Sequence, residues 1–482
     1  MRFNNLSCAR IGGHTHWVRL AYSFLFILSL AFFGAKSNAA VEPHARPIDA
    51  SMLENYQHVS VVFSAADLSN PESVFGHVFI VFHNAEIPNP LDPVVEFYGM
   101  MSEVEMGMLK TVASSIPGVY KLSTFEEKVR VYDKEGRDLF VRRTRSSINP
   151  RDLAGKIGRL SKGVHPYDFL DRNCAFYLEY LLTSSERFSD ASWAIRQPAD
   201  VFYEYGDPLT EYAIKSTERR RIEFKQALYD GRFNANQIDE LRLGLKFYEA
   251  RSVVLAGSVS SDLDSSAVAM FDSPPPQDVY PAPKAAGHRE YAAVAISKRG
   301  FLLQYGGFDT RGLSTNDSVP SLSRLKVGEV TLRCNKGDQC ASQVLAFETL
   351  TLPKEGFGLS KFLSTSGRLD QEGVGVNAQI GMGIGYRSGS LGVAVVPGLG
   401  VDNKYWSKRS SLTDGLLANR LVFTYLHART STYLDLMLSD TVKIDPIGKQ
   451  KRSLQITFDR QGLFFRTSFA DDFLLGVQRR FD

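Results

Sequence analysis

Cys174 and His77 are the residues of this sequence best suited to chemistry, as a thiol nucleophile and its base. Cys174 stands in Asp171-Arg172-Asn173-Cys174-Ala175-Phe176-Tyr177-Leu178-Glu179-Tyr180-Leu181-Leu182, where an amphipathic helix begins. A thiol attacks only as thiolate, and a helix N-terminus or a neighbouring imidazolium lowers its pKa. Asn173 is placed to cap the helix, which puts Cys174 in its first turn. Tyr167, Phe169 and Leu170 lie just upstream, where they could wall a pocket. The competing reading is a buried, inert thiol.

The sequence holds 4 cysteines. Cys334 and Cys340 flank Asn335-Lys336-Gly337-Asp338-Gln339, with Val330-Thr331-Leu332 before and Gln343-Val344-Leu345 after. That pattern predicts a disulfide across the tip of a β-hairpin. A zinc site would need two further ligands that the sequence does not offer. Cys8 precedes an apolar leader, so Cys174 is the odd thiol of the exported chain.

A base must come from His44, His58, His77, His83, His165, His288 or His427. His77 has the best setting, in Ser73-Val74-Phe75-Gly76-His77-Val78-Phe79-Ile80, at the entry to the strongest strand of the first region. Gly76 allows another backbone or a substrate to come close. His165 is the second candidate, although His165-Pro166 reads as a turn. His83 reads as an exposed strand end. A third group should orient the base. Glu96 and Tyr98 share a face of the next predicted strand, and Ser73 is a further polar candidate. Each also fits an ordinary strand or turn polar. The sequence has no Gly-x-Ser-x-Gly elbow, no His-Glu-x-x-His and no phosphate-cradling glycine motif. No metal or organic cofactor is implied.

The elements that position these residues are α+β. Strands are predicted at 58–63, 78–82, 94–98, 129–132 and 139–141. Residues 149–250 read as helical, opening with the cap Asn149-Pro150 and Leu153, Ile157 and Leu160 at helical spacing. A later helix is expected over 235–250. The run Glu218-Arg219-Arg220-Arg221 fits a solvated helix face or a contact with anionic lipid headgroups.

Residues 1–39 have the charged start, apolar run and small-residue end of a secretory signal. Its removal would leave roughly 440 residues, enough for more than one domain. The 40–255 region would then be the thiol domain with a helical extension, and 256–287 a Pro/Ser-rich linker. Over 288–482 the pattern turns to strands. In 373–386, Val374, Val376, Ala378, Ile380, Met382, Ile384 and Tyr386 alternate with glycines, Asn377 and Gln379. Such alternation fits an outer-membrane barrel, and the length suits roughly eight to ten strands. Phe473, Leu475, Val477, Arg479 and Phe481 mark a final strand. A periplasmic β-sandwich is the other reading. With 56 basic and 53 acidic residues, no global basic field points to nucleic acid. Nothing in the sequence fixes an oligomeric state.

Ser73-Val74-Phe75-Gly76-His77, Glu96-Phe97-Tyr98-Gly99, Tyr167-Asp168-Phe169-Leu170 and Asn173-Cys174 together resemble the Lnb N-terminal periplasmic domain family, over about residues 55–185. That family takes its name from a bacterial lipoprotein N-acyltransferase. The order, His before Cys, is similar to that of circularly permuted papain-like proteins, including the lecithin–retinol acyltransferase relatives. The resemblance implies a permuted papain-like thiol domain with His77 as base, Cys174 as nucleophile, and an oxyanion donor near the Cys174 amide. It implies acyl transfer through a thioester. The named acyltransferase carries membrane helices after its thiol domain, whereas this sequence continues into a barrel-like region.

The combined expectation is an exported, outer-membrane-anchored thiol acyltransferase or hydrolase facing the periplasm. Its substrate would be a membrane lipid, a lipoprotein or a related ester or amide. A non-catalytic outer-membrane protein with a partner- or peptidoglycan-binding module is one alternative. A peptidoglycan amidase or peptidase is the other.

Overall fold

The computed structural model describes residues 47–67, 75–100, 116–168, 172–183, 197–231 and 233–255, together with strands between 290 and 481. The expected leader, the linker and Ser73 lie outside the described residues.

The first region is built on a seven-stranded sheet in the order β6-β4-β3-β2-β1-β5-β7. The strands are β1 (His58–Ser64), β2 (His77–His83), β3 (Pro93–Gly99), β4 (Ile116–Thr124), β5 (Leu139–Arg143), β6 (His165–Tyr167) and β7 (Tyr212–Ile214). Every pairing among them is antiparallel. Six described helices accompany them: α1 (Phe125–Lys134), α2 (Pro150–Leu160), α3 (Cys174–Leu182), α4 (Pro198–Tyr205), α5 (Thr217–Asp230) and α6 (Ala235–Leu255). Among the described residues no helix is long and apolar enough to cross a membrane.

Both faces of the sheet are covered. Val61, Phe63, Val78, Ile80, Val95 and Phe97 pack with Leu153 and Ile157 of α2, Leu178 of α3 and Phe202 of α4. Val62, Phe79, Val81, Val94 and Val141 pack with Phe125 and Tyr132 of α1 on the other side. A strand buried on both faces reads as a continuous apolar run, as β1 and β2 do.

Two sequence expectations fail here. Residues 129–132, expected as a strand, lie inside α1. Thr124 caps that helix by accepting from the Glu127 amide at 3.3 Å, and Glu126 and Glu127 occupy its first turn. Phe125, Lys128 and Tyr132 make its buried face at helical spacing. The β-branched Val129 and Val131 are overruled by this tertiary packing. His165-Pro166, expected as a turn, belongs to β6, where His165 pairs with Gly118 and Pro166 with Pro117.

The second region is a closed, all-antiparallel barrel of twelve strands, β8 to β19, in which β19 pairs back onto β8. The expected eight to ten is too few because some connections are very short. Ser388 at the end of β13 (Gly373–Ser388) pairs with Leu391 at the start of β14 (Leu391–Tyr405). The alternation in β13 has the expected sense. Ile380, Met382, Ile384 and Tyr386 are exposed, while Gly381 and Gly385 between them and Arg387 just beyond are buried. Lys326, Glu329, Ser360, Ser364 and Arg420 are buried. Glu290 of β8 pairs with Phe481 of β19, so the chain enters and leaves the barrel at one end. Cys334 and Cys340 are register partners and form a disulfide at the opposite end, closing the β10–β11 hairpin (Arg324–Asn335 and Gln339–Thr351).

Candidate active site

Cys174 opens α3, and both ends of this helix are pinned. Asn173 Oδ1 accepts from the amides of Ala175 at 2.9 Å and Phe176 at 3.2 Å, the cap expected from sequence. Lys156 of α2 donates to the carbonyls of Tyr180 at 2.7 Å and Thr183 at 2.6 Å, neutralising the other end. Tyr177 stacks on Phe97 of β3 with ring centroids 3.8 Å apart, and its hydroxyl donates to the Pro166 carbonyl at 2.6 Å. The first turn of α3 is thereby held against the sheet.

His77 opens β2. Strands β2 and β3 pair only at Ile80–Val95 and Val81–Val94, so they part before His77 is reached. The sulfur of Cys174 meets the sheet there. It accepts from the backbone amides of Val78 and Ala175, and it is hydrogen-bonded to the His77 ring. Gly76, just before His77, has φ +81°, and a Cβ on it would lie 2.5 Å from the Ser64 carbonyl oxygen. The backbone that Gly76 admits is therefore β1, and the close approach fixes where β2 begins.

Glu96 of β3 supplies the third group. Its Oε2 lies 3.3 Å from His77 Nε2. The two groups meet as an ion pair rather than an aligned hydrogen bond. Glu96 Oε1 accepts from the ammonium of Lys128 on α1. Both Glu96 and Lys128 are buried. Tyr132, one turn further along α1, stacks on Phe79 at 5.9 Å and stands 6.4 Å from the His77 ring.

The charge states follow from this packing. Burial pushes the Cys174 thiol up, but the charge and hydrogen bond of His77, with the Val78 and Ala175 amides, outweigh it and hold the thiol below its ordinary value. Burial lowers His77, yet the charge and hydrogen bond of Cys174, with the Glu96 carboxylate beside the ring, raise it to about 9. Burial raises Glu96, while His77 and Lys128 bring it down to about 2. These directions favour the charged forms of Cys174, His77 and Glu96, a row of alternating sign.

The other sequence candidates sit apart from the sulfur. Tyr98 is half-buried at the end of β3, its ring centroid 6.0 Å from the Lys121 ammonium, and it makes no hydrogen bond to His77 among the described residues. His165, the second candidate base, is occupied elsewhere. Its Nε2 donates to the Leu160 carbonyl at 2.8 Å, and its ring packs 5.6 Å from Tyr177. His83 is buried, not exposed, because Ser60 Oγ at 2.8 Å and the Ala85 carbonyl at 2.7 Å satisfy both ring nitrogens. Phe169 and Leu170 lie outside the described residues. Sequence reading missed Lys128 and Tyr132, whose only signal was a Thr124-x-x-Glu127 helix start. Among the described residues no three His, Cys, Asp or Glu side chains stand close enough to hold a metal ion.

No curated protein matches this chain significantly. A solved structure described as "KdgM porin in complex with disordered oligogalacturonate" is similar at 10% identity and a TM-score of 0.25, covering 40% of this chain and 99% of that one. That likeness is too slight to define the barrel further. Residues 53–204, the stretch that brings together His77, Glu96, Lys128 and Cys174, match the family model described as the Lnb N-terminal periplasmic domain.

Proposed function

We propose that this chain is a thiol-dependent acyltransferase of the bacterial cell envelope, anchored in the outer membrane by its barrel. One observation carries the catalytic reading: a buried thiol and a buried carboxylate on either side of a half-buried imidazole, with the thiol lowered and the imidazole raised. A buried structural cysteine is pushed the other way. The Cys helix docked on a strand that bears the His, with the acid on the next strand, is the arrangement a permuted papain-like enzyme needs. The exposed apolar residues of β13 and β14 support a lipid-facing barrel wall.

The step runs as follows. The Cys174 thiolate attacks the carbonyl carbon of an acyl ester, and a C–S bond forms. The first-turn amide of Cys174, which has no acceptor within its own helix, is placed to receive the oxyanion. The tetrahedral species collapses, the C–O bond breaks, and the leaving alkoxide takes the His77 proton. An amine or water then attacks the thioester, His77 accepts its proton, and the C–S bond breaks to restore thiolate and imidazolium. A barrel anchor tethers this domain beside phospholipid and lipoprotein, which favours lipid acyl transfer over cleavage of peptidoglycan amides.

Full-length protein in vesicles of phospholipid with isotopically heavy acyl chains tests this. The Cys174 peptide should gain the mass of one heavy acyl group, released by hydroxylamine. Iodoacetamide should label Cys174 at pH 7 at least tenfold faster than in His77→Ala, as expected for a depressed thiol. An unmodified peptide together with equal labelling of the two proteins sinks the proposal.

A further inference from the structure

We infer that Lys128 is a positioning residue of this site: by taking Oε1 of Glu96 it leaves Oε2 for His77 and cancels the carboxylate's charge at the sulfur. The inference rests on the catalytic reading above and adds a residue to it. Lys128 is placed by α1, on the sheet face opposite the core side of α3, so it reaches the thiol only through Glu96 and His77. A buried Lys–Glu pair is poor evidence of stabilisation, because desolvation offsets much of the attraction. Here the pair does something an apolar pair of equal volume would not. It keeps a carboxylate ionised against the ring that must hand over a proton, and it balances the local charge.

The groups around Glu96 bear this out. His77 faces it from β2, Cys174 lies beyond from α3, and Tyr132 contributes a neutral phenol from α1. Lys121, opposite Glu96 on β4, is half-exposed and stands 3.9 Å from Glu127. Arg137 lies over the Tyr132 ring at 4.7 Å and pairs with Glu135 at 2.7 Å. Beside His77 itself, Lys128 is the cation in direct contact with the carboxylate among the described residues. Without its charge, the Glu96 and Cys174 anions would share the single positive charge of His77. The thiol would then ionise at higher pH.

Iodoacetamide labelling of Cys174 in the full chain, followed from pH 4 to 10, reads this out. Lys128→Gln keeps a donor for Oε1 but removes the charge. It should move the acid limb of the profile up by about one pH unit, a roughly tenfold slower reaction on that limb, with the plateau rate kept. Lys128→Arg should restore the native limb, which a purely steric role would not allow. If Lys128→Gln fails to fold, Lys128→Met, which keeps the reach of the side chain without its charge, replaces it and should show the same rise of the acid limb. A Lys128→Gln or Lys128→Met profile that overlays the native one, or a Lys128→Arg profile shifted by a full unit, overturns the role of Lys128. A native thiol that ionises only above about pH 8.5 overturns the catalytic reading and this inference with it.

Discussion

The two regions of this chain use strands in opposite senses. In the first, strands such as β1 and β2 are buried on both faces, and apolar side chains are excluded from water on either side of the sheet. In the barrel, the exposed side chains of β13 are Ile380, Met382 and Ile384, while Lys326, Glu329 and Arg420 are buried. Strand geometry is the same in both; the surroundings differ. The contrast locates the chemistry as well. Charged groups are buried in both regions, but only in the first does a parting between two strands bring a thiol, an imidazole and an ion pair together.

The sharpest way to break this contrast is to make one substitution in both regions. Leu209 in the first region is 93% exposed and Leu399 near the middle of β14 is 59% exposed. If the barrel wall faces lipid, Leu399→Arg costs about 2–4 kcal/mol of barrel stability in bilayers. Leu209→Arg, facing water, should stay within about 0.5 kcal/mol. Urea unfolding of the full chain in lipid vesicles, read separately for the two regions, makes the comparison. Equal, small effects at both positions would remove the membrane from the picture.

A second test bears on the parting itself. Gly76→Ala places a Cβ 2.5 Å from the Ser64 oxygen and 2.6 Å from Phe63 Cε2, on a residue with φ +81°. Backbone strain alone costs about 1–3 kcal/mol, and relief of the clash must displace the start of β2. The expected outcome is a lower melting temperature of the first region with slower Cys174 alkylation, while the barrel transition stays in place. Unchanged alkylation would mean that His77 does not depend on the β1–β2 contact.

These differences also explain what the sequence disclosed. Period-two patterning in β13 was legible because apolar residues occupy the exposed positions and glycines or polar residues the alternate ones. The runs of β1 and β2 were legible as strands, but their two buried faces gave no clue to which helix lay on which. Helix α1 was misread because Val129 and Val131 favour strands and because its buried face includes Lys128, a residue that ordinarily marks solvent. For the same reason Lys128 was missed from the site. His83 misled in a similar way: its partners, Ser60 and the Ala85 carbonyl, are set by register and a turn that local sequence does not reveal. The Cys174–His77 contact joins residues far apart in the chain. The residue types and their local settings already pointed to the pair, and the family resemblance agreed. Their approach depends on the short β2–β3 pairing, which no local pattern encodes.

The smallest expected effect separates paired from unpaired buried charge within the first region. Glu96 is held at about 2, and its contribution to stability is present above its ordinary value near 4.5 and lost as pH falls through about 2. Asp138 is the opposite case. Burial raises it to about 6, outweighing Arg219 and the two Ser216 donors at 2.8 and 3.0 Å, and its Oδ2 has no partner among the described residues. The folded chain thus binds this proton more tightly than the unfolded chain, whose carboxyl titrates near 3.8. Stability must therefore fall as pH rises from about 4 to 6, and the cost is fully present at neutral pH. Asp138→Asn should recover roughly 1–3 kcal/mol at pH 7, less whatever its amide loses beside Ser216, and nothing below pH 3.5. Denaturant unfolding of the first region at several pH values checks the sign, with the barrel transition as internal reference. A variant less stable than native at pH 7, with the native pH slope retained, would show that Asp138 is ionised at no cost in the fold and that its burial is balanced by Arg219 after all.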